Sequence, residues 1–195
     1  MTADKANLLV MLSGSGRTLV NLADAIERGQ LDAKITLVVG SRDCLGIERA
    51  KELGLPAKVV PGELPADELD RLAAEAQAHW VVLAGYLKLV HVPARLAGRV
   101  VNIHPALLPD FGGPGMYGRR VHQAVLDAGR KESGCTVHLC DAQFDTGPIV
   151  LQERCPVLPG DDADSLAARV FACECVAYPK ALQQLIAGCE SKVDQ

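Results

Sequence analysis

The sequence is poor in aromatic residues: three Phe, three Tyr and one Trp in 195 residues, 4% in all. Ala, Leu and Val must therefore fill its core. It also lacks paired cysteines. The seven (Cys44, Cys135, Cys140, Cys155, Cys173, Cys175 and Cys189) are odd in number and include no C-x-x-C pair. That argues against a disulfide framework and a four-thiolate zinc site. Reduced cysteines are expected, most of them packed in the core of a cytoplasmic protein. Cys173 and Cys175 fall on an expected helix, where side chains at i and i+2 diverge, so they make no metal pair. No metal is expected.

Positive charge is not in excess either. The formal net charge is −4, whereas a broad grip on nucleic acid needs clustered Lys and Arg. No nucleic-acid partner is expected, although a small anion pocket stays compatible with this balance. No apolar run approaches membrane-spanning length, so no membrane partner is expected. The start, MTADKANLLVML, runs straight into glycines and does not read as a signal peptide. What remains is ordinary globular composition over a length that suits one domain, residues 1–195.

Along the chain, apolar runs read as strands at Asn7–Ser13, Ala33–Gly40, Ala57–Val60, His79–Ala84, Arg99–His104, Cys135–Cys140 and Ile149–Cys155. Helical spacing marks Thr18–Arg28, Gly46–Leu53, Asp67–Ala78, Arg119–Ala128 and Asp162–Ile186, the last interrupted or bent near Pro179. This alternation predicts an α/β fold: an open, mostly parallel, Rossmann-like sheet with helices on both faces. Ligands of such sheets sit outside the carboxyl ends of the strands. Ser13–Arg17, Gly85–Val90 and Asn102–Pro109 fall at such ends, and Pro105–Gly118 is a long Pro/Gly loop of the kind that is often functional.

Ser13-Gly14-Ser15-Gly16-Arg17-Thr18 follows a strand and opens a helix. Glycines let an anion approach the helix N-terminus, where N–H groups point outward. Ser13, Ser15 and Thr18 can add hydroxyls and Arg17 a charge. Leu19 stands where a dinucleotide fingerprint needs its third glycine, and no Gly-Lys-Ser/Thr follows. A monophosphate site is the sharper reading; a tight turn with no ligand is the plainer one.

Asn102 and His104 lie two apart on a strand and share a face. A carboxamide can donate to a developing oxyanion, and an imidazole can move a proton near neutral pH. A carboxylate beside the ring would orient it and stabilise its charged form. Asp141 and Asp145 are the candidates, and Asp145 enters a turn forced by Thr146-Gly147-Pro148. His79, His91 and His122 read as surface or packing residues. His138 alternates with Val137 and Leu139 on a strand face.

Asn102-Ile103-His104-Pro105-Ala106-Leu107-Leu108-Pro109 resembles the N-x-H-P-S/A-L-L-P signature of folate-dependent formyltransferases. Three more segments resemble the branch that acts on glycinamide ribonucleotide: the loop Ser13–Thr18, the strand end Val81–Tyr86, and Cys135–His138 followed by Asp145–Ile149. The likeness runs from about residue 8 to about residue 186. It implies formyl transfer from 10-formyltetrahydrofolate, a cosubstrate, to the amine of glycinamide ribonucleotide in purine synthesis. It further implies a monomer or homodimer with small-molecule substrates only. By the same resemblance Asn102 stabilises the oxyanion, His104 is a general acid, and Asp145 keeps His104 charged and holds a relay water. Gly14, Ser15, Gly16, Arg17 and Thr18 bind the substrate phosphate, and Glu174 its ribose. Leu87, Lys88, Leu89, Val90, Asn102, Cys140, Asp141, Ala142, Gln143 and Phe144 form the folate pocket. His138 supports the site.

The sequence departs from that pattern at Arg17 (Ser is common), Thr18 (Asn is common) and Lys88 (Arg is common), and Lys cannot make Arg's planar fork with a carboxylate. Phe111–Gly118 follows a G-G-x-G-M-Y-G variant of the loop. A formyl-folate hydrolase, a sugar-nucleotide formyltransferase and a non-catalytic nucleotide-binding module are the competing readings.

Overall fold

The computed structural model describes residues 5–190, without the side chains of residues 189 and 190. Residues 1–4 lie outside this range, as does the thiol of Cys189. The elements in chain order are β1 (Ala6–Leu12), α1 (Arg17–Glu27), β2 (Ala33–Gly40), α2 (Leu45–Glu52), β3 (Ala57–Val59), α3 (Ala66–Glu75), β4 (Trp80–Leu83), a 3-10 turn (Ala94–Leu96), β5 (Val100–His104), α4 (Arg119–Asp127), β6 (Glu132–Leu139), β7 (Ile149–Pro156) and α5 (Ala163–Glu190).

The seven strands form one sheet in the order β3-β2-β1-β4-β5-β6-β7. Strands β1 to β5 pair in parallel, and β6 and β7 add antiparallel at one edge. All seven residues of β1 are buried, as a central strand covered on both faces requires. Alternate residues of β1 enter two different cores. Leu8, Val10 and Leu12 pack with apolar residues of α1, α2, α4 and α5, whereas Leu9 and Met11 pack with Leu69, Leu72 and Ala73 of α3. Helices therefore cover both faces, four on one and α3 on the other. Among the described residues no helix is long and apolar enough to cross a membrane.

The chain builds outward from β1 to β3, then returns to lay β4 on the other side of β1. That reversal opens a crevice at the carboxyl ends of β1 and β4. The Ser13 N–H donates to the Gly85 carbonyl across it at 3.0 Å. From the other side, the fully buried Tyr178 of α5 points its hydroxyl at the Leu83 and Val101 carbonyls, each at 3.0 Å. The ends of β4 and β5, and hence Asn102, are tied to α5.

Two expectations change. β6 begins at Glu132, three residues before the expected Cys135, because Glu132–Gly134 pair in register with Arg154–Pro156. The helix α5 runs through Pro179 without the interruption expected near it. Proline cannot donate to the carbonyl four residues back, and Asn21 Nδ2 takes that role for the Cys175 carbonyl at 3.2 Å. Of the six described cysteines, Cys135 and Cys155 are buried in the core and the half-buried Cys44, Cys140 and Cys173 pack against it, so most are packed there as expected.

Candidate active site

The glycine loop is held by its carbonyl side. Arg42 Nε donates to the Ser13 carbonyl at 2.7 Å, Gly46 N–H to the Gly14 carbonyl at 3.0 Å, and Arg49 to the Ser15 carbonyl at 2.8 Å. Gly16 caps α1 at φ +74°, and a Cβ there would lie 2.5 Å from Gly46 Cα. Only glycine meets both conditions. With the carbonyls anchored, the first N–H groups of α1, which have no intrahelical acceptor, face the cavity. Ser13 is not available to a ligand as expected: its buried hydroxyl meets Ser41 Oγ at 2.7 Å and accepts the Leu87 N–H at 3.0 Å.

Asn102 and His104 project from the end of β5 as the strand geometry requires, and Asp145 meets both. Its Oδ2 lies 3.4 Å from His104 Nδ1, and its Oδ1 lies 3.4 Å from Asn102 Nδ2. Of the two candidate aspartates, Asp145 is therefore the partner. Asp141 instead closes its own turn, accepting from Gln143 N–H at 3.0 Å and Thr146 Oγ1 at 2.7 Å. Asp145 adopts φ +59°, a left-handed conformation that Asp tolerates better than most residues. The next turn residue of consequence is Gly147, where a Cβ would lie 1.9 Å from the Leu139 carbonyl. The Gly113 N–H fixes Asp145 Oδ2 at 2.9 Å.

His138 completes the cluster. Its Nδ1 meets the Leu139 carbonyl at 2.9 Å, which can only accept, so Nδ1 carries the proton. Its Nε2 lies 3.1 Å from Asn102 Nδ2 and 3.5 Å from Asp145 Oδ1. Nε2 of His104 donates to the Phe111 carbonyl at 2.8 Å. Burial raises the Asp145 carboxyl, but contact with His138, the attraction of a protonated His104 and the Gly113 N–H outweigh it and hold the group below its usual value. Burial lowers His104, and the pull of Asp145 and of the Phe111 carbonyl does not fully offset it. Asp145 thus pulls the ring toward its charged form, as the resemblance implies, against a burial that favours the neutral one.

A cavity of about 360 Å³ joins the two regions. Gly14–Thr18 line one end, with Glu174 of α5; Asn102, His104 and Asp145 line the other, with Leu87, Phe144 and the loop residues Gly113 and Gly115–Gly118. Burial raises the Glu174 carboxyl to about 7, against the pull of Arg17. A narrower extension of about 40 Å³ continues past Asn102 and is lined by Lys88, Leu89, Val90, Cys140, Asp141 and Gln143. Tyr86, Asn102, Phe144 and Asp145 border both spaces. Ala142 lines neither and is exposed on its turn.

Four contributors escape the sequence reading. Tyr86 sits in the quoted strand end, and its position just past β4 was the available signal. Met116 and Tyr117 lie in the long loop that was read as functional without assigned residues. Phe171, whose ring lies 4.0 Å from the Arg17 guanidinium, carries no local signal at all. Of the remaining histidines, His79 is exposed and its Nδ1 accepts the Asn7 N–H at 2.8 Å. His91 pairs with Glu63 at the surface at 2.6 Å, and His122 is buried.

Residues 6–182 match the family model described as formyl transferase. The chain is 37% identical, over its full length, to the trifunctional purine biosynthetic protein adenosine-3 of Drosophila pseudoobscura pseudoobscura, of which it spans 15%. It is 33% identical to the phosphoribosylglycinamide formyltransferase of Haemophilus influenzae, over 93% of this chain and 87% of that protein. Among solved structures, glycinamide ribonucleotide transformylase 1 from Symbiobacterium toebii superposes with a TM-score of 0.86 at 33% identity, covering 96% of this chain and 90% of that one.

Proposed function

The chain belongs to the formyl transferase family, and from that premise we propose that it moves the formyl group of 10-formyltetrahydrofolate to the amine of glycinamide ribonucleotide. It acts as one domain in the cytoplasm, in purine synthesis. The observation that carries this reading is the position of Asn102 and Asp145 on the boundary between two connected spaces. The larger, floored by the glycine loop, suits a phosphorylated amine; the folate approaches from the side of the narrower, which Lys88, Leu89, Val90 and Cys140 line. A formyl carbon delivered from one side meets an amine delivered from the other beside Asn102.

No covalent intermediate is needed, because a neutral amine is already a good nucleophile. Attack leaves a negative oxygen and a positive nitrogen. The two N–H bonds of Asn102 point to His138 at 3.1 Å and to Asp145 at 3.4 Å. The longer contact is weak, so an oxyanion at ordinary hydrogen-bond distance displaces it and gains a preset donor. His104, neutral at rest, accepts a proton as the amine adds. The new negative charge and Asp145 together stabilise the imidazolium, which then returns the proton to the departing folate nitrogen. Glu174 addresses the ribose; Gly14, Ser15, Gly16, Arg17 and Thr18 address the phosphate. Alignment of two bound reactants supplies much of the acceleration.

The test is formyl loss from a 10-formyl folate, followed by absorbance, with and without glycinamide ribonucleotide. Turnover that requires the ribonucleotide is the expected result. Equal turnover without it makes the chain a hydrolase, and no turnover with either overturns the reading.

A further inference from the structure

Arg17 is the only Lys or Arg among the residues lining the main cavity. Its guanidinium pairs with no carboxylate of the described residues; it lies over the Phe171 ring, 4.0 Å from the centroid. Phe171 and Glu174 stand three apart on α5, and such residues share a helix face. Glu174 lines the same cavity and feels the charge of Arg17. A guanidinium within reach of a half-buried carboxylate ordinarily forms a forked pair with it. Here an aromatic face offers the cation another seat, one that gains strength as water is excluded.

We propose that Phe171 is a positioning residue that seats the Arg17 guanidinium beside the glycine loop and away from Glu174, so that the cavity selects acceptors carrying a phosphomonoester. This rests on the acceptor reading given above and adds the residue that sets its selectivity. The loop N–H groups supply directional donors but only partial charge. A phosphomonoester dianion needs a full cation as well, and one cation lines the cavity. Remove the ring, and the guanidinium collapses onto Glu174. The phosphate then loses its cation while the ribose loses its carboxylate acceptor.

Two measurements test this on the full chain. The first compares kcat and KM for glycinamide ribonucleotide and for its dephosphorylated riboside in wild type, Phe171→Ala, Phe171→Tyr and Arg17→Ala. The second measures ribose 5-phosphate binding by calorimetry, which needs no turnover. Phe171→Ala is expected to raise the ribonucleotide KM and the ribose 5-phosphate Kd by about three- to fivefold, the scale of a cation–π contact at an exposed cation. It should leave kcat within about twofold and restore function when Tyr replaces Phe. In an Arg17→Ala background the Phe171 change should add nothing, because both act through one contact. Equal losses for ribonucleotide and riboside, a Tyr variant as impaired as Ala, or an unchanged ribose 5-phosphate Kd would each overturn the proposal. A wild type that turns over neither acceptor would sink the reaction assignment alone, since the ribose 5-phosphate comparison still decides the role of Phe171.

Discussion

At the glycine loop, the protein presents backbone N–H groups from one short segment, turned by Gly16 at φ +74° and backed by Arg42, Gly46 and Arg49, which pin the carbonyls behind. At the other end of the same cavity, Asn102, His104, Asp145 and His138 present side chains drawn from β5, β6 and the β6–β7 turn. One end takes its ligand-facing groups from a single segment of backbone, and the other gathers side chains from several. The first suits a task that needs a fixed shape, holding an anion. The second suits a task that needs groups to exchange protons, because side chains from different segments carry different electrostatic histories into one small volume. The contrast predicts that substitutions at the two ends split cleanly between turnover and binding.

The largest effect belongs to the proton-moving end. Asp145→Ala or His104→Ala should cut kcat by about two or more orders of magnitude, within what positioned acid–base groups supply. The ribonucleotide KM should move by no more than a few fold. A KM collapse with kcat intact would erase the distinction between the ends. Gly16→Ala should do the reverse. It forces a left-handed conformation at about 1–2 kcal/mol and drives a methyl into Gly46, 2.5 Å away. The expected outcome is a ribonucleotide KM raised at least about tenfold with the formyl-folate KM unchanged; a variant with both KM values at wild-type level would break the anion-loop reading.

The same contrast explains what could be read from the sequence. The parallel half was legible because its signals are local. β2 runs over the expected Ala33–Gly40, and β1, β4 and β5 differ from expectation by one residue or so at either end. Each is an apolar run closed by a turn residue. The glycine loop was legible for the same reason, and so was the shared face of Asn102 and His104. The residues alone left Asp141 and Asp145 as candidates and the resemblance chose Asp145; the path of the chain through φ +59° there brings its carboxylate beside β5. The start of β6 was not legible: Ser133 and Gly134 look like a turn, and cross-strand pairing with β7 overrides that preference. The stack of Arg17 on Phe171 joins residues from opposite ends of the chain. The burial that works against the charged form of His104 is likewise something sequence does not report.

An intermediate effect is expected at His138, which touches the reacting group only through Asn102 and Asp145. His138→Ala frees the Asn102 carboxamide to rotate without removing it, and should lower kcat by about tenfold. Its distinguishing sign is partial retention by His138→Gln, whose carboxamide can still accept from Asn102. Loss as deep as that of His104→Ala would promote His138 to a proton carrier and redraw the centre.

The smallest effect lies where the two ends meet. His122 of α4 is buried, its Nδ1 without a partner. Burial lowers it to about 4; Arg17 from the anion end and His104 from the proton-moving end add to the shift, and Asp164 opposes it. The ring is thus neutral in the folded protein, while in the unfolded chain it protonates near its ordinary value of 6.5. Between those two values the unfolded chain binds more protons, so stability falls as pH falls from about 6.5 toward 4. His104, also lowered by burial, contributes in the same direction. His122→Gln removes one of the two contributions. Its Tm should decline less between pH 7 and pH 4.5 than that of the wild type, by a few degrees, since about 1 kcal/mol corresponds to roughly 2–4 °C at this chain length. Parallel Tm-against-pH curves for the two proteins would mean that His122 is already solvated at rest. In that case it does not couple the anion end to the proton-moving end, and the two halves of the cavity are electrostatically independent.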